Sequence, residues 1–308
     1  MEQVKALSYE EWKEQRRKGI GGSDAAAVVG LDPWKSPVAL YLEKIGVLES
    51  EVDSEAAYWG TVLEDLVAKE FENRTGYKVH RVNKILQHPE YPFMIANIDR
   101  KITGENALLE CKTTNEYNKK EWQDGKIPEK YMVQVQHYLA VTGYEKAYIA
   151  VLIGGQKFVW YHVPRDEELI SSLIEAEKEF WQCVEAKIPP AIDGTKSSKM
   201  ALDILFPAEE AKPERKLLGE NSYTLVQQYN ELKEKIKELE EKKAEIENKL
   251  KAELGEYEEG EIADALITWK PITTKRFDSK RFKKEYPDLY SKFLTESKYR
   301  RFAIRGGE

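Results

Sequence analysis

The chain has 308 residues, 33% of them charged and 41% hydrophobic, with a formal net charge of −7. That length allows one large core or two domains, and no apolar run approaches the ~20 residues that a membrane-spanning helix needs. Two cysteines, Cys111 and Cys183, cannot build a disulfide framework or a four-cysteine cluster. The opening residues Met1–Lys5 lack the apolar core of a secretory signal, so a cytosolic protein is expected. The charge is unevenly spread. Residues 270–308 carry twelve Lys and Arg against five Asp and Glu on an otherwise acidic chain, which suits an anionic partner or a solvated tail.

In chain order, Ser8 and Glu11 form a capping box for a helix running to about Lys18. Gly19-Ile20-Gly21-Gly22 breaks it, and Ser23 is expected to cap a second short helix ending at Gly30. A Gly-rich turn with a serine at a helix start, and Arg16, Arg17 and Lys18 upstream, offers N–H groups, a hydroxyl and charge to an anion. It also fits an ordinary joint between helices. Ser36 and Pro37 open a helix to Ile45, with Trp34 before it as a packing anchor. Residues 55–74 form the next helix, with Trp59, Val62, Leu63, Leu66, Val67 and Phe71 as its buried stripe. Glu64 flanks that stripe, as a solvated carboxylate or one aimed into a site.

Val79–Leu86 alternates like a strand and is expected to pair with Ile95–Asp99. Ile95–Asp99 and Ala107–Lys112 are two strand-like runs around Thr103-Gly104-Glu105-Asn106, a hairpin turn. Glu110 and Lys112, two apart on a strand, share a face, and Asp99 can face them across the hairpin. Two carboxylates suit Mg²⁺, a hard cation that takes oxygen ligands. A lysine beside them can orient or deprotonate water for phosphodiester hydrolysis. The same trio fits an exposed hairpin with one ion pair.

Asn115–Asp124 looks helical, and Pro128–Val141 is a helix that puts Gln134 and His137 on one face. Ala147–Ile153 and Phe158–Val163 form a hairpin around Gly154-Gly155, followed by a helix over Arg165–Lys187. The whole is an α/β layered sheet of mixed strand direction. Residues 191–219 read as a linker or a loosely packed extension. From Leu225, apolar residues at Tyr229, Leu232, Ile236, Leu239, Ile246 and Leu250 step by four and three, with Lys243 at the missed position. That is a heptad seam, and either a helical hairpin or a self-association stalk would use it. Ile262–Thr274 resembles a strand. The aromatics of 276–305, interleaved with basic residues, suit a small amphipathic module with an aromatic core, or a nucleic-acid surface.

Four motifs occur in one order: Arg17-Lys18-Gly19-Ile20-Gly21-Gly22-Ser23-Asp24, Gly60-Thr61-Val62-Leu63-Glu64, Asp99 with Glu110-Cys111-Lys112, and Tyr131-Met132-Val133-Gln134-Val135-Gln136. Over about residues 8–190 the chain resembles the YqaJ-like viral recombinase family of phage nucleases, related to lambda exonuclease within the PD-(D/E)xK superfamily. The resemblance implies an α/β fold with a PD-(D/E)xK, restriction-endonuclease-like core, a mixed central sheet flanked by helices, in an exonuclease domain over 1–205. Residues 206–308 would add a coiled-coil helix (about 222–254) and a small basic aromatic module. It implies two Mg²⁺ ions, replaceable by Mn²⁺, held by Asp99, Glu110, the backbone carbonyl of Cys111 and Glu64. Lys112 would position the water. Arg17, Ser23 and Gln134 would bind the terminal or scissile phosphate.

The implied function is digestion of linear double-stranded DNA from its 5′ end in phage or prophage recombination. The 3′ single strand would pass to a single-strand annealing protein in the bacterial cytoplasm, and the enzyme would be a homo-oligomer, a trimer by family analogy. A structure-specific endonuclease of the same superfamily, or a non-catalytic DNA-binding or assembly protein built on the coiled coil, are the other readings.

Overall fold

The computed structural model describes residues 14–49 and 54–306, so the capping box at Ser8 lies outside the described residues. The chain divides into two compact units, 1–205 and 206–308. Among the described residues no helix is long and apolar enough to cross a membrane.

In the first unit residues 14–17 are helical, followed by α1 (Gly22–Val28), α2 (Pro37–Lys44) and α3 (Glu55–Thr75). Then come β1 (Val79–Arg81), β2 (Leu86–Gln87), β3 (Ile95–Ala96), β4 (Arg100–Ile102) and β5 (Ala107–Thr114). A 3₁₀ turn over Glu116–Trp122 leads to α4 (Glu129–Thr142), the β6 (Lys146–Ile153) and β7 (Lys157–Pro164) hairpin, α5 (Glu167–Ala186) and α6 (Lys196–Leu205). The central sheet is mixed, in the order β1-β4-β5-β6-β7, with β5 and β6 parallel and the other pairs antiparallel.

Period-two alternation along β5 decides what each side of the sheet holds. Ala107 and Leu109 face Val67, Ala68 and Phe71 of α3. Leu108 faces the opposite layer, where Val135 and Leu139 of α4 pack with Ile149 and Val151. Glu110 and Lys112, in step with Leu108, therefore look toward α4. The turn before β5 is sharp enough to need Gly104 at φ +80°.

Several elements differ from the sequence expectation. The stretch 79–86 is two strands: β1 pairs with β4, while β2 pairs with β3 in a separate two-stranded sheet. Ile95–Ala96 thus leaves the central sheet, and it is Arg100 and Lys101 of β4 that pair with Leu109 and Leu108 of β5. Along α3 the stripe rotates. Val67 and Phe71 are buried, but Trp59, Val62 and Leu66 are about half exposed, because the expected stripe mixed two adjacent rows of the helix and only one meets the sheet. Trp34 is 84% exposed and anchors no core. Residues 196–205, expected to be loose, form a helix whose Ala201 joins a core with Val38 and Leu42 of α2. Ser197 Oγ there accepts the Ser36 amide at 3.0 Å.

The second unit holds α7 (Glu220–Leu254, 35 residues), a β8 (Glu259–Ile262) and β9 (Ala265–Thr268) hairpin, and short helices α8 (Ser279–Glu285) and α9 (Pro287–Lys292). Leu254 is the one residue of α7 that is buried. The aromatics of the basic tail form no buried core: Phe277, Phe293, Tyr299 and Phe302 are all more than 70% exposed. Too few apolar neighbours reach them to close a core around them.

Candidate active site

The site is assembled where three short segments meet on the α4 side of β5. Asp99 sits at the entry to β4, where its Oδ2 accepts the Cys111 amide at 2.7 Å. That bond ties it to the strand carrying Glu110 and Lys112. Lys112 Nζ lies 2.6 Å from Glu110 Oε1, and Gln134 Nε2 of α4 donates to the same oxygen at 2.7 Å. The structure thus brings Asp99, Glu110, Lys112 and Gln134 together.

Their electrostatics follow from burial of like charges. Burial lifts the Asp99 carboxyl well above the usual range, and the neighbouring Glu110 charge adds to the effect. Burial opposes the charge of Lys112, but Glu110 and Asp99 outweigh it and hold the ammonium above the ordinary lysine value. Burial raises the Tyr138 hydroxyl, and Glu110 and Asp99 raise it further. Two carboxyl groups crowd together beside one lysine, and a cation between them would relieve that crowding.

Glu110 Oε2 is buried and has no hydrogen-bond partner, whereas Oε1 is held twice. An orphaned carboxylate oxygen beside a second carboxylate fits a divalent cation. Among the described residues, no three His, Cys, Asp or Glu side chains gather as a ligand set. Glu64 is close by, but its head is taken by Arg100, which also bonds the Asp99 carbonyl at 2.6 Å and Asp65 at 2.5 Å. Cys111 brings its backbone to the cluster. Burial pushes its thiol well up, keeping it protonated.

Beside this cluster lies a cavity of about 180 Å³, bounded by Arg16, Ser23, Asn97 and Tyr138. Tyr138 joins the two places, since its hydroxyl accepts from Gln134 Nε2 at 3.1 Å. The glycine run is pinned to the sheet layer by backbone bonds, Ile20 N to Phe93 O at 2.6 Å and Ile95 N to Ile20 O at 2.9 Å. Two of its glycines are obligatory. A Cβ on Gly19 would stand 2.6 Å from the Phe93 carbonyl, and one on Gly22 would stand 2.4 Å from the Tyr138 ring. The helix cap is Gly21, with Ser23 inside the first turn rather than at the cap.

Arg16, not Arg17, reaches this cavity. Arg16 Nη2 donates to Ser23 Oγ at 2.9 Å and to Asp24 Oδ1 at 3.1 Å, while Arg17 is exposed. Asp24 is buried, and its Oδ2 pairs with Lys44 Nζ at 2.7 Å. Lys44 also donates to the Arg16 carbonyl at 2.8 Å. Burial pushes the Asp24 carboxyl up, but Lys44 and Arg16 prevail and hold it well below the usual range. Behind the site, His137 is fully buried between Glu177 (2.8 Å) and the Ile95 carbonyl (2.9 Å), fixing α4 against the segment that leads to Asp99.

Sequence reasoning missed Asp24, Lys44, Asn97, Arg100 and Tyr138 as parts of this region. Tyr138 could have been found, four residues from Gln134 on one helix face. Lys44 gave no signal, since it reads as the charged end of an apolar helix.

Residues 11–145 match the family model described as the YqaJ-like viral recombinase domain. Over 303 residues the chain is 50% identical to an uncharacterized protein, YqaJ, of Bacillus subtilis (strain 168), covering 97% of this chain and 95% of that one. An alkaline exonuclease from Laribacter hongkongensis shares the fold at a TM-score of 0.50 and 21% identity, covering 58% of this chain and 93% of that structure. The same exonuclease in complex with dAMP gives a TM-score of 0.50 and 23% identity.

Proposed function

The chain belongs to the YqaJ-like viral recombinase family, and from that premise we propose that it is a divalent-metal-dependent deoxyribonuclease with a PD-(D/E)xK core, digesting linear duplex DNA from its 5′ end. The observation that carries the reading is the convergence of Asp99, Glu110 and Lys112 with one buried oxygen of Glu110 left unpartnered. Asp99 and Glu110 would hold the cations, two Mg²⁺ ions with Mn²⁺ as substitute, aided by the Cys111 carbonyl and by Glu64 once it is released from Arg100. Bound there, the ions supply Lewis-acid polarisation of the phosphate and of water.

The chain's own groups do the rest. Lys112 orients the attacking water and holds the Glu110 head in place through Oε1. Gln134 fixes the Glu110 carboxylate through Oε1 and leaves Oε2 for the cation. Arg16 and Ser23 bind a phosphate in the adjoining cavity, with Asn97 and Tyr138 as further polar walls. Arg17, expected in this role, lies outside the cavity and would meet the DNA backbone from the surface. The digestion product, a 3′ single strand, passes to an annealing protein.

Asp99→Ala should lower cleavage of end-labelled linear duplex by roughly 10³-fold or more while preserving the folded circular dichroism signal. Mg²⁺ should raise the melting temperature of the parent and not of the variant; at 100 Kd a bound ion contributes about 2.7 kcal/mol. Undiminished cutting by Asp99→Ala would remove the assignment. Cutting of covalently closed circles by the parent would favour an endonuclease.

A further inference from the structure

Among the described residues of the second unit, most of one face of the long helix α7 has no covering. Leu225, Tyr229, Leu232, Ile236, Leu239 and Ile246 are each between 45% and 64% exposed. At the start of the seam Phe302 meets Tyr229 edge-on, with ring centroids 6.0 Å apart. At its end Leu250 turns into a cavity shared with Tyr257 and Ile262. Between them the seam is bare, on a helix of 35 residues that spans about 52 Å. A helix of this length draws most of its stability from packing of its apolar face, so the face calls for a partner.

We infer that α7 is one strand of a parallel, two-stranded coiled coil formed with a second copy of this chain. The spacing of four and three assigns Tyr229, Ile236, Lys243 and Leu250 to position a, and Leu225, Leu232, Leu239 and Ile246 to position d. The flanking charges then choose the arrangement. Positions g carry Lys235, Lys242 and Lys249, and positions e carry Glu240 and Glu247 with Lys233 one heptad earlier.

In a parallel pair, g of one strand meets e of the next heptad on the other. Lys235 then faces Glu240 and Lys242 faces Glu247, on both sides of the seam. In the antiparallel arrangement with full overlap, Lys235 faces Lys242, and the attraction of Lys233 for Glu240 only offsets that repulsion. The odd residue agrees. Parallel strands put Lys243 opposite its twin, each with Glu247 of its own helix 3.6 Å away; antiparallel strands press its ammonium onto Leu232. A lone lysine at position a is a device for fixing register and strand number, and leucine at three of the four d positions suits two strands. A pair built this way brings the two copies of Glu220 to the same end of the rod. The inference is independent of the nuclease chemistry.

The test uses the full chain. Light scattering after size exclusion should show Ile236→Glu with Leu239→Glu losing a factor of two in mass, whatever association the first unit contributes. Lys235→Glu with Lys242→Glu should split the pair in the same way without touching the seam, and mixing with Glu240→Lys, Glu247→Lys should restore it. Under oxidised glutathione, Lys243→Cys should give a disulfide-linked pair on a non-reducing gel. Lys237→Cys, on the outer face, and the parent with its two native cysteines should not. An unchanged mass in both the seam and the charge variants overturns the self-association. A twofold loss without the Lys243→Cys link overturns the parallel arrangement.

Discussion

Two ion pairs show how the halves of this molecule differ. In the first unit, Lys44 and Asp24 meet at 2.7 Å with side chains 4% and 2% exposed. In the second, Lys249 and Glu245 meet at 2.6 Å with side chains 72% and 63% exposed. Distance does not separate them; solvent does. Around Asp24 each polar atom has an assigned place, and the pair positions Arg16 through one bond to its side chain and one to its carbonyl. Along α7 the pairs lie in solvent, and the Lys249–Glu245 pair can be lost with little consequence for its neighbours.

The largest break in this contrast should come from Lys44→Ala. It leaves the Asp24 carboxylate buried with only Arg16 to pair it, at a cost of about 3–5 kcal/mol, read as a fall in urea midpoint. Phe71→Ala should cost about as much, roughly 3–5 kcal/mol, because Phe71 is fully buried where α3 meets the sheet. A cost near zero for either would mean that the first unit is far looser than its burial states. Gly22→Ala, driving a methyl into the Tyr138 ring, should cost about 1–3 kcal/mol and weaken cleavage by displacing Ser23. In the second unit, Glu245→Ala should change stability by no more than about 0.5 kcal/mol, measured in the same titration.

A pH series sharpens the same comparison. The Asp24 carboxyl is held below its ordinary value of 3.8 in the folded state. Its contribution is therefore present above that value and lost as pH falls through the lowered folded pKa. Acid unfolding of the first unit should be steeper in the parent than in Asp24→Asn. Equal slopes would show that Asp24 is not ionised in the folded protein.

Much of the first unit was legible in the chain, for reasons that particular residues make plain. Glu110 and Lys112 share a face because strands alternate. The turn at Gly104 forces a reversal, and the Gly154-Gly155 hairpin and the helices over 129–142 and 167–186 follow from local pattern. The α3 stripe was misjudged because periodicity gives a direction around a helix only to within one row, and tertiary packing chooses the row. The same limit hid the choice between Arg16 and Arg17: neighbouring residues on a helix point about 100° apart, and no local signal says which direction is inward. Residues 196–205 looked loose because they sit in a stretch, 191–219, that is poor in pattern and contains Pro207 and Pro213, yet α2 offers them a surface.

The sequence by itself determined the mixed α/β layering of the first unit, the shared face of Glu110 and Lys112, and the heptad spacing of α7, since each is written in intervals of two to seven residues. The tertiary structure alone decided that Asp99 bonds the Cys111 amide, that Arg100 takes the head of Glu64, and that Lys44 is buried against Asp24. Those are contacts between residues 12 to 36 positions apart, set by how layers stack. Stacking is governed by which apolar faces exclude water together, and no local interval records that.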